Sequence, residues 1–259
     1  MEIELKEKYG EIIEWLTQYK EHTNCRGVVL GISGGKDSTV VAMLAKKVWG
    51  DNVFGVLMPN GEQKDLSDAK EIARQLNLRH GIVNIGAAYN ALINAIEVDE
   101  GMDSDGLPLP SKNIIDVSEK SKTNIPPRLR MTTLYAIAQS MGYRVIGTGN
   151  LSEGFIGWCT KWGDCAYDLN PIAHLTCTEV VQLGLSLCGE FGLDEKYVHK
   201  APSDGLTGKS DEDNFGFTYA ELDAYITGCG FQIPYETAEK IEQLHRISEH
   251  KRNMPATIG

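Results

Sequence analysis

Continuous apolar runs and helical spacings alternate along the first half of the chain. The run RGVVLGI (26–32) passes through the turn SGG into a helical pattern that begins at Asp37, and NVFGVLM (52–58) leads into a predicted helix over 65–78. HGIVNI (80–85) predicts a third strand. Strands that are apolar on both faces and separated by helices form parallel sheets. The predicted fold class is therefore α/β, a doubly wound parallel sheet flanked by helices.

The rest of the chain adds one strand and several helices to this sheet. RVIGTGN (144–150) predicts a fourth strand after a helix at 130–141, and helical spacing at 4–20 predicts an amphipathic first helix. Further helices are predicted at 87–98, 176–190, 219–227 and 234–249. The polar segment 99–113 and the aperiodic segment 151–170 are predicted loops, and we expect the second to lie over the carboxyl edge of the sheet.

Length and charge narrow the range of partners. The 259 residues are 42% hydrophobic, which is enough for one domain over 1–259. Lys and Arg number 25 against 36 Asp and Glu, and the resulting net charge of -11 repels a nucleic-acid backbone. No apolar run approaches the roughly 20 residues that a membrane span needs. We therefore expect neither a nucleic-acid nor a membrane partner.

The cysteines bear on the redox environment. They number 6 and include no CxxC pair, and the chain opens with the acidic stretch MEIELKEKYG instead of a signal peptide. These features predict reduced thiols and a cytoplasmic location. The nearest approach to a metal cluster has spacings that fit no common zinc pattern, and we interpret its members as ordinary, partly buried side chains: Cys159, Cys165, His174 and Cys177.

The segment SGGKDS (33–38) stands where a predicted parallel strand turns into a helix. The backbone N–H groups of Gly34 and Gly35 can approach an anion closely, and the following helix adds a favourable dipole. A Walker loop would continue from its lysine into Ser or Thr, whereas Lys36 is followed by Asp37. The segment therefore predicts a phosphate site unlike that of a kinase or GTPase, with a plain glycine turn as the structural alternative.

SGGKDS after a strand resembles the loop of the ATP pyrophosphatases, which cleave ATP between its α and β phosphates. That group includes NAD synthetase, GMP synthetase, argininosuccinate synthetase and tRNA-modifying enzymes. The chain also contains blocks that resemble the motifs of the NAD synthetase family, in that family's order and over residues 27–256: NIPPRLRM, GTGNLSE, TKWGDCAYD, PIAHLTCTEV, KAPSDGLTGKSDE and HKRNMP. The resemblance implies the adenine-nucleotide alpha-hydrolase-like NAD synthetase fold and a homodimer.

The same resemblance implies a reaction. Deamido-NAD would be amidated at the expense of ATP, with Mg2+ as cofactor, to give NAD, AMP and pyrophosphate through an adenylated deamido-NAD intermediate. Glutamine-using members of the family carry an additional nitrilase-like domain, for which this chain has no room, so ammonia is the expected nitrogen donor. One alternative is a tRNA-modifying ATP pyrophosphatase, for which a basic face and paired reactive cysteines are expected. The other is a non-catalytic nucleotide sensor on the same fold.

The resemblance also implies roles for single residues. The implied ATP site consists of Gly31, Ile32, Ser33, Gly34, Gly35, Lys36, Asp37, Ser38, Thr148, Cys177 and Ser203. The implied deamido-NAD site consists of Arg128, Lys161, Asp168, His250 and Lys251. Asp37 and Glu153 are the implied Mg2+ ligands, and Asp164 is a candidate for receiving a proton from ammonium. Taken alone, the same side chains could be a solvated helix start, a turn cap, a surface salt bridge or a solvated tail.

Two positions depart from the family pattern. Cys177 stands where many members have a Lys that meets ATP phosphate, and Ser203 stands where they often have Thr. Serine keeps the hydroxyl group, but cysteine removes a positive charge, and charge-assisted contacts to phosphate are strong. Either a neighbour such as Lys36 or Lys209 compensates, or ATP binding is altered.

Overall fold

The structure, a computed structural model, describes residues 2–62, 65–97, 116–200, 210–229 and 232–258. Its sheet is built from the parallel strands Val28–Gly31 (β1), Val53–Leu57 (β2), Arg79–Ile82 (β3) and Arg144–Val145 (β4), in the order β3-β2-β1-β4. The chain leaves the central β1 toward β2 and β3 and then returns to place β4 on its other side. The predicted parallel α/β sheet is thereby confirmed, and the crevice beside β1 and β4 is the place where such sheets bind ligands.

Helices surround the sheet. Those in the described residues are α1 (Glu2–His22), α2 (Lys36–Trp49), α3 (Leu66–Gln75), α4 (Gly86–Glu97), α5 (Glu119–Met141), α6 (Leu151–Ile156), α7 (Cys177–Phe191), α8 (Lys196–His199), α9 (Asp211–Phe215), α10 (Tyr219–Thr227), α11 (Tyr235–Ile247) and α12 (Glu249–Arg252). The helices predicted at 4–20, 87–98, 176–190, 219–227 and 234–249 correspond to α1, α4, α7, α10 and α11.

Both faces of the sheet are covered by helices. Successive side chains of a strand point to opposite faces, so Leu30 packs in one cluster with α1, α2 and α7, while Val29 packs in another with α5. Both side chains are fully buried. A further cluster brings together α6, α9, α10 and α11 through Ile156, Phe215, Leu222 and Ile241. The short helix α6 thus packs against α7, α10 and α11.

The helix α5 begins well before the predicted start at 130. Ser118 caps it by accepting a hydrogen bond from the Ser121 amide at 3.3 Å, and the helix continues through Pro126 and Pro127. The sequence prediction began the helix at 130, after these prolines, and proline is a poor helix former because it lacks an N–H. Ile125 and Pro126 are both buried, so packing overrides that low propensity. The block NIPPRLRM therefore lies inside α5.

The expected loop 151–170 begins with a short helix, and the strand expected at 144–150 is shorter than predicted. Asn150 and Glu153 form a reciprocal capping box at the start of α6. Six residues are too few to show a helical period, which is why the pattern missed this element. Beyond β4, Ile146 makes one isolated parallel bridge to Leu169.

Some predictions fall on residues outside the described ranges. The segment 99–113 lies there, and so do Ser203 and Lys209. Among the helices of the described residues, none is both long and apolar enough to cross a membrane.

Candidate active site

A glycine loop joins β1 to α2 at the carboxyl edge of the sheet. The Ser33 hydroxyl lies 3.0 Å from the Ser38 hydroxyl and accepts a hydrogen bond from the Gly35 amide at 3.2 Å. Gly34 has a φ of +85°, and a Cβ there would approach the Asp65 carbonyl oxygen to 3.1 Å. Gly35 is the N-cap of α2 and offers no side chain to its first amides. The loop is thus closed by its own hydroxyls and leaves a helix N-terminus suited to an anion.

Asn150 connects the two predicted metal ligands. Its side-chain amide donates to Asp37 Oδ1 at 3.1 Å, and its backbone amide donates to Glu153 Oε2 at 3.2 Å. The Glu153 amide in turn donates to Asn150 Oδ1 at 3.0 Å, and Asn150 is buried. The structure therefore brings Asp37 and Glu153 together, as expected. Sequence reasoning missed Asn150, although the Asn-x-x-Glu spacing of a capping box follows the strand.

Asp37, Glu153 and the buried Lys36 form a charged cluster, called the recess below. The pKa values of Glu153 and Lys36 are shifted in it. Burial, followed by the negative charge of Asp37, raises the pKa of Glu153 to about 8. Lys36 is only 3% exposed, and its Nζ donates to Asp37 Oδ2 at 2.7 Å. Burial alone would lower the pKa of Lys36, but Asp37 and Glu153 raise it above its ordinary value. Two acids and one fixed ammonium group thus share the recess.

The chemistry of these side chains suits a hard cation. Asp37 and Glu153 provide oxygen ligands, and the mutual repulsion of their charges would be relieved by a divalent ion. Mg2+ is commonly held by one or two carboxylates together with substrate phosphates, and the glycine loop lies directly before Asp37. The residues therefore fit Mg2+ that is bound together with a nucleotide.

Cys177 lies at the edge of the same recess. It is the first residue of α7, it is buried, and its amide donates to the Ser152 hydroxyl at 2.9 Å. Burial raises the pKa of the Cys177 thiol to about 12, so the thiol is protonated at neutral pH and is not a nucleophile. The charge of Lys36 acts on this thiol. Of the two lysines expected to compensate for Cys177, Lys36 is the one within the described residues.

Most of the residues expected to bind deamido-NAD meet beside α5 and α12. Arg128 Nε donates to the Lys161 carbonyl at 3.3 Å, and Lys161 Nζ donates to the His250 carbonyl. Lys251 Nζ donates to the carbonyls of Gly157 at 2.7 Å and of Cys159 at 2.6 Å. The structure thus joins four predicted residues into one basic surface. Arg128 lies within α5, whereas the sequence interpretation placed it before the start of this helix.

Asp168 and Thr148 lie at the sheet. The Asp168 carboxylate accepts the Val145 amide at 2.8 Å and the Tyr135 hydroxyl at 3.5 Å, so it fixes the end of β4 and stands apart from the basic surface. Thr148 follows β4 and precedes Asn150, on the edge that carries the glycine loop.

Asp164 lies in the loop between α6 and α7. Its Oδ1 accepts the Thr160 amide at 2.7 Å. Protein atoms crowd the carboxylate and raise its pKa, although the side chain still reaches solvent. Lys251 and Arg130 act on it with positive charge.

A disulfide closes this loop. Cys159 and Cys165 are bonded, with their Cα atoms 6.0 Å apart. Our expectation of reduced thiols is wrong for this pair. The Thr160–Asp164 hydrogen bond turns the chain back on itself and brings the two cysteines within the Cα separation of disulfides. Spacing alone could not show this turn.

Comparison with known proteins identifies relatives along nearly the whole chain. A family model described as NAD synthase matches residues 8–255. The NH(3)-dependent NAD(+) synthetase of Carboxydothermus hydrogenoformans is 39% identical over 258 residues, which cover 98% of each chain. That of Pyrococcus horikoshii is 36% identical over 261 residues, covering 95% of this chain and 93% of the relative.

Solved structures agree with these relatives. A structure of NMN synthetase from Francisella tularensis superposes with a TM-score of 0.84 at 33% identity and covers 98% of each chain. An NH3-dependent NAD synthetase from Campylobacter jejuni, in complex with the nitrate ion, has a TM-score of 0.76 at 25% identity and covers 98% of this chain and 99% of its own. The matched region includes the glycine loop, both carboxylates and the basic surface.

Proposed function

The chain belongs to the NAD synthase family, and we propose that it is an ammonia-dependent NAD synthetase. The enzyme would join the nicotinate carboxylate of deamido-NAD to the α-phosphorus of ATP with release of pyrophosphate, and ammonia would then displace AMP to give the amide. The observation that carries this proposal is the position of Asp37 and Glu153, joined through Asn150 beside the glycine loop. The related proteins that bear this name support it.

The glycine loop and the carboxylates would serve the first half of the reaction. Amides of the loop and the N-terminus of α2 would receive the departing pyrophosphate. Asp37 and Glu153 would hold Mg2+, which when bound would neutralise negative charge on the polyphosphate. Thr148 and Ser203 are proposed to contact ATP. Because this assistance is electrostatic, the adenylation step needs no acid or base from the protein.

The basic surface would serve the second substrate. Arg128, Lys161 and Lys251 carry charges that complement the pyrophosphate of deamido-NAD, and His250 is proposed to contact the same group. Asp168, which stands apart from the basic surface, is proposed to contact another part of this extended dinucleotide. Asp164 would accept a proton from ammonium, since its carboxylate is crowded and still accessible. A site that closes over the adenylate would also keep water from hydrolysing it.

The mononucleotide is a second candidate substrate. The Francisella tularensis structure bears the name NMN synthetase, and its fold and sequence are similar to this chain over 98% of both. Deamido-NMN carries the same nicotinate carboxylate as deamido-NAD but lacks the adenylyl half. The chemistry at the glycine loop would be unchanged, so only the partner of the basic surface distinguishes the two substrates.

The proposed function is tested with purified protein, ATP, Mg2+ and ammonium, supplied with deamido-NAD or deamido-NMN. We expect NAD, AMP and pyrophosphate in equal amounts from deamido-NAD. A higher kcat/KM for deamido-NMN would assign the mononucleotide instead. Glutamine freed of ammonia is expected to give no product with either substrate, because the similar relatives are named NH(3)-dependent. Product from glutamine would contradict the ammonia assignment, and ATP binding without pyrophosphate release would identify a nucleotide sensor.

We also propose a homodimer in the cytoplasm, where the four cysteines outside the Cys159–Cys165 disulfide would stay reduced. The first helix, α1, buries Ile12 and Leu16 in the core of its own chain, so these side chains do not contribute to a dimer surface. The helix α4 instead leaves Leu92 40% and Ile96 37% exposed, one helical turn apart on the same side. A self-complementary contact of such a surface is the usual basis of a dimer.

Dilution tests this dimer. Because a second subunit would supply a wall for the extended dinucleotide, dilution below the dimer dissociation constant should weaken deamido-NAD binding more than ATP binding. Sedimentation combined with binding titrations measures both. Leu92→Ser with Ile96→Ser should shift the dissociation constant, whereas exposed Tyr235→Ser, on α11, should not. A monomer that binds both ligands at full strength would refute the proposal.

A further inference from the structure

Lys36 is a buried cation at the start of a helix. Its side chain is 3% exposed, its Nζ lies 2.7 Å from Asp37 Oδ2, and the same Nζ lies 5.5 Å from the centroid of the Tyr219 ring. The Tyr219 hydroxyl donates to Asp211 Oδ2 at 3.0 Å, so the ring beneath the ammonium group is held in place. In the free protein the ammonium group therefore lies inside the recess and does not extend into solvent.

The position is unfavourable for a lysine on local grounds. Lys36 is the first residue of α2, where the helix dipole is positive and favours anions. A buried ammonium group also loses its hydration. The repulsion by the helix dipole and the loss of hydration are both offset when negative charge lies close to the ammonium group. The carboxylates supply it in the free protein, and the adjoining glycine loop offers a second source, because its helix N-terminus is suited to phosphate.

Cys177 belongs to the buried cluster that contains Tyr219, the ring beneath the Lys36 ammonium group. Its side chain is small, buried and uncharged, and it is the first residue of α7, a helix that packs against α2. Its backbone is held by Ser152, whose hydroxyl donates to Asp223 of α10. A lysine built from position 177 would start from a fixed backbone and extend toward the region that Lys36 occupies.

We propose that Lys36 is the phosphate-binding cation of the nucleotide site and that its ammonium group moves from Asp37 to the polyphosphate of ATP when nucleotide binds. Asp37 is then free for the metal. The proposal rests on the proposed function only in taking ATP as the nucleotide. In this proposal the positive charge that meets ATP phosphate comes from Lys36 in the loop, and not from a lysine at position 177.

The test measures binding of Mg2+ with α,β-methylene-ATP by isothermal titration calorimetry, without dinucleotide or ammonium. Lys36→Met keeps the unbranched stem against Tyr219 and removes the charge, and we expect its affinity to fall by about tenfold or more. Lys47→Met is the matched control, because Lys47 lies on the same helix, about 16 Å away, and the change in net charge is identical. The control should bind within about twofold of the unmodified protein.

A second variant separates phosphate binding from a structural role. Adding Cys177→Lys to Lys36→Met returns one cation to the recess from α7, and we expect most of the lost affinity to return. Thermal unfolding is followed for every variant, and if Lys36→Met alone does not fold, the double variant is compared directly with the unmodified protein.

Two results would overturn the proposal. One is equal affinity of Lys36→Met and Lys47→Met. The other is a double variant that folds and still binds the analogue as weakly as Lys36→Met. Where Lys36→Met does not fold, the contradicting result is a double variant that binds the analogue at least about tenfold more weakly than the unmodified protein. A protein that binds the analogue but makes no NAD would refute the proposed function and leave this measurement intact.

Discussion

Asp37→Asn and Glu153→Gln should each slow adenylation by about a hundredfold or more while the fold persists, because each removes a charged oxygen ligand from the proposed Mg2+ site. Both replacements keep an oxygen that can accept the hydrogen bonds of Asn150. The readout is the rate of pyrophosphate release in a single turnover at limiting Mg2+. Higher Mg2+ should recover part of the lost rate.

Asp51→Asn provides the matched control for this pair. Asp51 lies beyond the far end of α2 and pairs with Lys46 at 3.2 Å, so the same chemical change occurs away from the recess. It should leave adenylation unchanged. Turnover close to that of the unmodified protein in Asp37→Asn or Glu153→Gln at limiting Mg2+ would remove that residue from the metal site.

Asp164→Asn is expected to reduce NAD formation by about a hundredfold while adenylation continues, because a positioned proton acceptor contributes roughly 10²–10⁴-fold. The amide oxygen can still accept the Thr160 amide, so the loop should keep its shape. AMP and NAD are quantified together in the same reaction. The variant should release AMP by slow hydrolysis of the adenylate without forming a matching amount of NAD.

Ammonia supply distinguishes a proton acceptor from a structural residue. Raising the pH increases the fraction of unprotonated ammonia, which does not have to lose a proton before it attacks the adenylate, so the rate of Asp164→Asn should approach that of the unmodified protein. Asp51→Asn again provides the control. If pyrophosphate release and NAD formation decline in parallel at every pH, Asp164 shapes the loop and takes no part in proton transfer.

Local patterns were sufficient to predict the framework around the glycine loop. The apolar run of β1, the turn and the helical spacing of α2 are consecutive in the sequence, so their order predicts strand, loop and helix. The proximity of Asp37 and Glu153 is different, because 116 positions of sequence number separate them and only the resemblance placed them together. The structure adds Asn150 as the physical link between them.

Features that depend on three-dimensional packing could not be predicted. Nothing in the spacing of SGGKDS shows that the Lys36 side chain turns inward over Tyr219. The helix α5 continues through Pro126 because this residue is buried, and the helix propensity of proline does not take burial into account. The disulfide of Cys159 depends on a turn made by side-chain hydrogen bonds, for which the sequence offered no period.

The six residues of α6 perform several structural tasks at once. Ser152 bonds to α10 and supports α7, Glu153 enters the carboxylate recess, and the Phe155 carbonyl accepts His245 of α11 at 2.7 Å. Gly157 ends the helix with a φ of +67°, and a Cβ there would meet Ser248 Cβ at 2.2 Å. Such a segment has little freedom for neutral drift. Over evolutionary time, a change at one of its positions would persist only with matching changes in helices far away in the sequence.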